Sequence, residues 1–466
     1  MVMLKEQLEK EKVEFIERNV KIGIIGAGYV GLVTAVGFAH KGYKVLVVEK
    51  DKEKLKKIKQ GICPFYEPEL QQYLMNSIEF NRLEFRENIG ELVSECRYIF
   101  VCVGTPIKED NTYDMYYLDI VAKEIANSLK NDFKIIIIRS TVPPTTCRWF
   151  KKAIIRYRRG VKANFEVISM PEFLREGNAI YDFFNPSRII IGSDDHEVAK
   201  EVGELYADFK APILIVSLEE AEIIKLASNA FLAMKISYIN SIANLAEALN
   251  SNIENIKLGI SLDPRIGSEF LKAGIGFGGS CLPKDLSALI KVFHNYQLNP
   301  VLFEAVKIVN DERIDIFIGK VKKALWNVKN KLLTIWGVSF KANTDDIRES
   351  PALKIIPRLV QEGAILNVYD PKGLHNFQNY LQKNYPEFSN NIKLIENIYE
   401  STINSSAILI TNDWEDYKKV NYYNIYELME TPIIIDGRNI LNPIEITQIG
   451  FEYYSIGNGF IENNKK

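Results

Sequence analysis

Cysteine is scarce in this 466-residue chain: Cys63, Cys96, Cys102, Cys147 and Cys281 make an odd set with no CxxC pair. That spacing argues against a disulfide framework and against a thiolate zinc site. Histidine is scarcer still, and His40, His196, His294 and His375 are scattered without ligand spacing, so no metal is expected. An excess of one charge is also lacking. Lys and Arg number 58 against 60 Asp and Glu, and the formal charge of −2 offers no overall attraction to nucleic acid or anionic lipid. No apolar run reaches membrane-spanning length, and residues 1–19, which interleave both charge signs, lack the apolar core of a signal peptide. Low-complexity tracts are absent too. What remains is a globular protein of a reducing cytoplasm, with neither nucleic acid nor membrane as a partner, and with residues 1–19 as a frayed or surface-docked helical extension.

The length exceeds what one hydrophobic core usually supports, which predicts at least two domains. From Lys21 onward, short apolar runs alternate with segments of helical period, the pattern of a mostly parallel sheet covered by helices. The expected strands are KIGIIG (21–26), KVLVVE (44–49), RYIFVCVG (97–104), KIIIIRS (134–140), FEVISM (165–170), RIIIG (188–192) and ILIV (213–216). A long helix without Pro or Gly is predicted from Leu218 to about Leu249. A second strand-rich block follows: KLLTIWG (331–337), ILNVYD (365–370), AILITND (407–413) and PIIIDGR (432–438). It echoes the first block as a degenerate duplication. The expected α/β architecture is therefore two Rossmann-like doubly wound domains, 20–217 and 328–466, joined by a long central helix and a helical middle domain, 218–327.

Strand KIGIIG runs into Gly26-Ala27-Gly28-Tyr29-Val30-Gly31 and then a helical segment, which places a GxGxxG fingerprint at the strand-to-helix turn a dinucleotide requires. Alone this is weak evidence, but Glu49 ends the next strand at the place of a carboxylate gripping the adenine ribose. An acid there repels a 2′-phosphate and favours NAD over NADP. Lys54 either flanks the ribose or is a surface lysine of DKEKLKKIK. Gly104-Thr105-Pro106 and Ser140-Thr141 stand at two further strand ends, where open parallel sheets bind ligands, so they are expected to line the cofactor site; the competing reading is turn chemistry, since Thr-Pro and Val-Pro also simply end strands. The opening turn of the second block, Gly337-Val338-Ser339-Phe340-Lys341, has lost the glycine spacing, so any nucleotide there is held by other contacts.

Between the blocks lies Gly276-Phe277-Gly278-Gly279-Ser280-Cys281-Leu282-Pro283-Lys284-Asp285. A cysteine between a glycine run and a Lys-Asp pair is in a nucleophile's setting, exposed and beside a cation. The other four cysteines suit structural roles better; Cys102, for example, lies in an apolar strand.

Nine motifs in order, GAGYVGL (26–32), VGTP (103–106), STVP (140–143), PEFLREG (171–177), KLASN (225–229), DPRIG (263–267), FLKAGIGFGGSCLPKD (270–285), SFKANTDDIRES (339–350) and DGRN (436–439), resemble the UDP-glucose/GDP-mannose dehydrogenase family, most of all its UDP-glucose branch. The resemblance covers nearly all of residues 20–440. It implies an NAD-dependent four-electron oxidation of a nucleotide-sugar C6 alcohol, UDP-glucose to UDP-glucuronate, a product that feeds surface polysaccharide synthesis. Cys281 is implied to attack the intermediate aldehyde and to pass through a thiohemiacetal to a thioester that water hydrolyses. Chemistry agrees, because hydride loss from an aldehyde needs a tetrahedral adduct and a thiol supplies one. Lys225 and Asn229, four apart on one helix face, are implied to stabilise the oxyanion. Asp285, Glu172 and Thr141 are implied around the hydrolytic water, with the choice of base between the two carboxylates open.

Cofactor contacts are implied for Gly26, Gly28, Tyr29, Val30, Gly31, Glu49, Lys54, Gly104, Thr105, Pro106, Thr141, Glu176, Lys284 and Arg348. Substrate contacts are implied for Glu172, Phe173, Leu174, Lys225, Asn229, Arg265, Phe270, Lys272, Gly276, Gly278, Phe340, Lys341 and Arg438, with Arg265 from this or a neighbouring subunit. A homodimer or larger homo-oligomer is expected, since the apolar helix at 218–249 must bury more than one face.

The pattern is not followed everywhere: Met170 stands where the family usually has asparagine, Pro144 replaces a smaller or β-branched residue, and the segment from Lys108 to Asp114 is short. Within the family the rival substrates are GDP-mannose and UDP-N-acetylhexosamines. A non-catalytic NAD or nucleotide-sugar binding protein is the alternative of another class, and it has no use for Cys281 and its neighbours. A 3-hydroxyacid dehydrogenase of similar plan predicts a catalytic lysine and no cysteine.

Overall fold

The computed structural model describes residues 18–159, 162 and 164–458. The helix expected over residues 1–19 lies outside them except for its last two positions, which belong to a strand. The chain divides into two compact units, Met1–Leu226 and Ala227–Lys466.

The first unit is built on eight strands: β1 (Arg18–Ile25), β2 (Tyr43–Val48), β3 (Leu83–Arg86), β4 (Tyr98–Val101), β5 (Lys134–Ile138), β6 (Phe165–Ser169), β7 (Ile189–Gly192) and β8 (Ile213–Val216). They lie in the order β3-β2-β1-β4-β5-β6-β7-β8. All neighbours are parallel except β6 and β7. The central strands read as unbroken apolar runs because both faces are covered. Alternate side chains divide between two cores. Ile22, Ile24, Val45, Val47, Phe100 and Ile137 face one way; Ile25, Leu46, Ile99, Val101, Ile136 and Ile138 face the other. The order reverses between β1 and β4, which leaves a crevice beyond their carboxyl ends.

The second unit holds β9 (Leu332–Trp336), β10 (Ile365–Tyr369), β11 (Ile392–Leu394), β12 (Ala407–Ile410), β13 (Ile433–Asp436) and β14 (Glu452–Ser455), ordered β11-β10-β9-β12-β13-β14 and parallel throughout. The order repeats that of the first six strands of the other sheet, so the duplication read from the sequence is present in topology. The fold is thus α/β with two Rossmann-like domains and a helical middle region. That region includes the helices Leu218–Ala248, of 31 residues, and Val301–Leu325, of 25. Strands β3, β11 and β14 were not expected: LEFR and IKL are edge strands of four and three residues, too short for an apolar period to register.

Candidate active site

The three glycines after β1 serve different ends. Gly26 takes φ +93, which favours glycine. A Cβ on Gly31 would stand 1.9 Å from the Gly26 carbonyl oxygen, so the helix Tyr29–His40 can leave the strand at this angle only without a side chain there. A Cβ on Gly28 would meet nothing within 4 Å. That open space at a helix N-terminus is what close approach of a pyrophosphate requires, and it is the observation on which an NAD site fits this turn. Gly104, beyond β4, is open in the same way. Thr105 and Thr141 are joined, the Thr105 hydroxyl donating to the Thr141 carbonyl at 2.7 Å, while Ser140 Oγ donates to the Val103 carbonyl at 2.6 Å. Val30 and Pro106 remain part-exposed and exposed beside these turns.

Glu49 follows β2. Its Oε2 accepts from the Ala27 N–H at 2.9 Å and from Lys54 Nζ at 2.8 Å, and its Oε1 accepts from the Asp51 N–H at 3.0 Å. Burial works to raise this carboxyl, but the Asp51 N–H, Lys54 and the Ala27 N–H outweigh it and hold the group below the usual carboxylate range. Glu49 is therefore an anion at neutral pH and opposes a 2′-phosphate. Lys54 is the counter-ion of Glu49, which keeps it beside the carboxylate expected at the ribose.

In the segment after β6, Glu172 is 6% exposed and Lys225 4%. Lys225 Nζ donates to Glu172 Oε1 at 3.2 Å, and the Leu174 N–H donates to Oε2 at 2.5 Å. Phe173 offers its ring to two cations, Lys225 Nζ at 5.3 Å and Arg188 Cζ at 3.9 Å from the centroid. Glu222, one turn before Lys225, accepts from the Thr145 N–H at 2.6 Å and the Cys147 N–H at 2.7 Å, which fastens the turn bearing Thr141 to the long helix. Tyr29 donates its hydroxyl to Glu67, and the charge of Glu176 acts on the same phenol.

In the second unit, Cys281 is the N-cap of the helix Leu282–Asn295, with Pro283 in its first turn. Burial pushes Cys63, Cys96 and Cys102 up to about 12, and raises Cys147 as well, so those four are protonated thiols at neutral pH. Cys281 is part-exposed at the end of a helix where backbone N–H groups favour negative charge. One turn on, Asp285 is 1% exposed. Lys284 Nζ donates to its Oδ1 at 2.5 Å and Asn229 Nδ2 to its Oδ2 at 2.6 Å. Lys284, expected at the cofactor, is thus engaged with Asp285.

The glycine run before Cys281 is filled by the chain's own atoms. A Cβ on Gly278 would lie 2.2 Å from the Glu349 carbonyl oxygen, and one on Gly279 would lie 2.7 Å from the Phe340 ring. Gly276 holds φ +94, and its carbonyl accepts from Arg438 Nη1 at 2.8 Å. Arg438 Nε donates to the Thr411 carbonyl at 2.9 Å, while Nη2 is buried with no partner among the described residues. Asp413, which sequence reasoning did not single out, gathers the cations. It takes the Ala342 N–H at 3.1 Å and lies 3.9 Å from Lys272. Burial would raise its carboxyl, but Arg438, Lys272 and Lys341 together bring it below the usual range. Three cations about one acid, with a guanidinium donor left over, suit a diphosphate. Phe270 opens this segment at φ +62.

The equivalent of Glu49 here is Asp370. Its Oδ2 accepts from the Val338 N–H at 2.8 Å and the Ser339 N–H at 3.0 Å, consuming the donors a pyrophosphate would need. Arg265, with 88% of its side chain exposed, pairs with Asp263, and Arg348, 64% exposed, pairs with Asp346. Among the described residues, no group of three or more His, Cys, Asp or Glu is placed to hold a metal ion, and no helix is long and apolar enough to cross a membrane.

Residues 20–210 match the NAD binding domain of the UDP-glucose/GDP-mannose dehydrogenase family, residues 219–312 its central domain and residues 334–443 its UDP binding domain. The chain is 39% identical over 440 residues to UDP-glucose 6-dehydrogenase of Rickettsia bellii (strain RML369-C), covering 94% of this chain and 99% of that protein. It is 38% identical over 437 residues to UDP-glucose 6-dehydrogenase TuaD of Bacillus subtilis (strain 168), covering 94% and 93%. A solved UDP-glucose dehydrogenase from the hyperthermophilic archaeon Pyrobaculum islandicum superposes with a TM-score of 0.86 at 30% identity, over 94% of this chain and 98% of that one. On these matches the chain belongs to the UDP-glucose/GDP-mannose dehydrogenase family.

Proposed function

We propose that this protein oxidises the C6 alcohol of UDP-glucose to the carboxylate of UDP-glucuronate. In sum, the alcohol, two NAD+ and one water give the carboxylate, two NADH and three protons. NAD supplies the hydride acceptor, once for each oxidation. Residues 20–217 hold it at the Gly28 turn and Glu49, and residues 328–466 hold the diphosphate through Arg438 and Lys341, joined by Lys272 of the middle domain. The observation that carries the reading is Cys281 at a helix N-cap, one turn from an Asp285 already bonded to Asn229 and Lys284.

The C6 hydroxyl gives its proton to water, Lys225 Nζ stabilises the alkoxide charge, and the aldehyde forms as the first hydride leaves C6. Cys281 Sγ then adds to the aldehyde carbon, and the oxyanion of the adduct is shared by Lys225 Nζ and Asn229 Nδ2. Loss of the second hydride leaves an acyl group on sulfur. Water attacks that carbon, the C–S bond breaks, and the thiolate leaves. Both oxygens of Asp285 are held by short bonds, whereas Glu172 Oε1 has a looser 3.2 Å contact with Lys225; Glu172 therefore takes the proton from water, and Thr141 and Asp285 orient it. A homodimer or larger homo-oligomer is supported by the long helix, where Phe231, Tyr238 and Leu245 are 57%, 52% and 56% exposed at seven-residue spacing, an apolar stripe for a second copy.

NADH counted against sugar consumed tests the substrate. Two NADH per UDP-glucose is the expected result; the same yield with GDP-mannose or UDP-N-acetylglucosamine alone would move the substrate, and no reduction by a chain that binds NAD would favour a binding protein.

A further inference from the structure

Glu67 is a buried carboxylate, 4% exposed, on the segment between the helices Lys52–Lys59 and Leu70–Glu79. Neither the glycine fingerprint nor the family motifs include it. The Tyr29 hydroxyl donates to its Oε2, as does the Gly177 N–H at 2.6 Å, and the Ala179 N–H donates to its Oε1 at 2.7 Å. Phe65, two residues earlier, packs on the Tyr29 ring with centroids 5.1 Å apart. Burial and the Glu67 charge both raise the Tyr29 phenol, so it stays a donor.

These contacts join two pieces of chain. Tyr29 opens its helix directly after Gly28, the glycine with open space around it. Gly177 and Ala179 end the segment that begins at Glu172, the partner of Lys225. The chemistry requires an acid here. All three groups donate, and the two backbone N–H groups cannot reverse. A glutamine would turn its own N–H2 toward one of them, which strips the Ala179 N–H of its acceptor or leaves the Gly177 N–H only its longer 3.1 Å contact with the Tyr29 hydroxyl oxygen.

We infer that Glu67 is a positioning residue for hydride transfer: its carboxylate sets the placement of the glycine turn that takes the cofactor pyrophosphate against the segment that carries Glu172. This rests on the NAD-dependent reading above, and the test separates the two.

In the full-length protein, NADH affinity is measured by fluorescence without sugar, followed by kcat, both KM values and the melting temperature, for wild type, E67Q and E67D. E67Q is expected to bind NADH about tenfold more weakly, the weight of one unpaired buried N–H, and to lose a similar factor in kcat, with KM for the sugar within about twofold. E67D keeps the charge but withdraws the carboxylate by one methylene, and it is expected to lose about fivefold in kcat at an unchanged pH profile. Variants that melt earlier yet keep NADH affinity and kcat would make Glu67 a packing residue and overturn the inference alone. Should E67Q fail to fold, E67D decides: kcat equal to wild type overturns it. A wild type that binds no NADH would overturn the reading, and the inference with it.

Discussion

Asn229 Nδ2 and Asp285 Oδ2 are 2.6 Å apart, so the amide proposed to steady the oxyanion is held in place by a carboxylate one turn beyond the cysteine. The second oxygen of Asp285 is held by Lys284. Asn229→Ala removes a donor to the oxyanion and should lower kcat about 10²- to 10³-fold, as loss of such donors does. KM for the sugar should change little. Steady-state kinetics at saturating NAD check this; a KM effect with kcat intact would make Asn229 a binding residue.

Lys225 and Glu172 form an ion pair with side chains 5% and 6% exposed. Breaking one partner of such a pair costs roughly 3–5 kcal/mol, because the other is left buried and charged. Lys225→Met should therefore be less stable in urea than the double variant Lys225→Met, Glu172→Gln. Equal losses in both would show that water reaches the pair.

Gly28 and Gly31 share one motif but should fail differently. Gly28→Ala meets open space, so the melting temperature should hold while NADH affinity falls by tenfold or more. Gly31→Ala places a methyl 1.9 Å from a backbone oxygen and should melt early or not fold. Thermal scans beside NADH titrations distinguish them, and an unaffected affinity in Gly28→Ala would remove the pyrophosphate from this turn.

Burial pushes Glu222 up to about 7, against the pull of the Cys147 and Thr145 N–H groups. A folded-state value above the unfolded one means the native chain binds the extra proton between about pH 4.5 and 7. This group's contribution to stability is then fully present below the unfolded value and is lost as pH rises through 7. The melting-temperature difference between wild type and Glu222→Gln should shrink from pH 5 to pH 8, and a difference that stays constant across that range would show the carboxylate ionised throughout.

The fold was legible where chemistry repeats along the chain. Apolar runs marked β1, β2, β4 and β5, and the run without Pro or Gly from Leu218 marked the long helix. Strand β11, IKL, was invisible because three residues carry no period. At the site, glycine spacing identified Gly26, Gly28 and Gly31, but not that Gly278 yields space to Glu349 rather than to a ligand; close approach within one chain and approach by a ligand leave the same residue type. Glu67, Glu222 and Asp413 were missed because a carboxylate that accepts backbone N–H groups from distant segments has no local signature. Asp413 alone had a signal, a polar residue just past β12 as Glu49 is just past β2.

The central claim is an acyl group on Cys281, and intact-mass analysis of Glu172→Gln mixed with UDP-glucose and NAD tests it most directly. Removal of the proposed base should let the thioester accumulate, so a glucuronyl nucleotide adduct is predicted on the peptide that holds Cys281, released by hydroxylamine, with NADH formed in a burst of two per site. No adduct, together with a Cys281→Ser variant that still yields two NADH per sugar at the wild-type rate, would contradict the account.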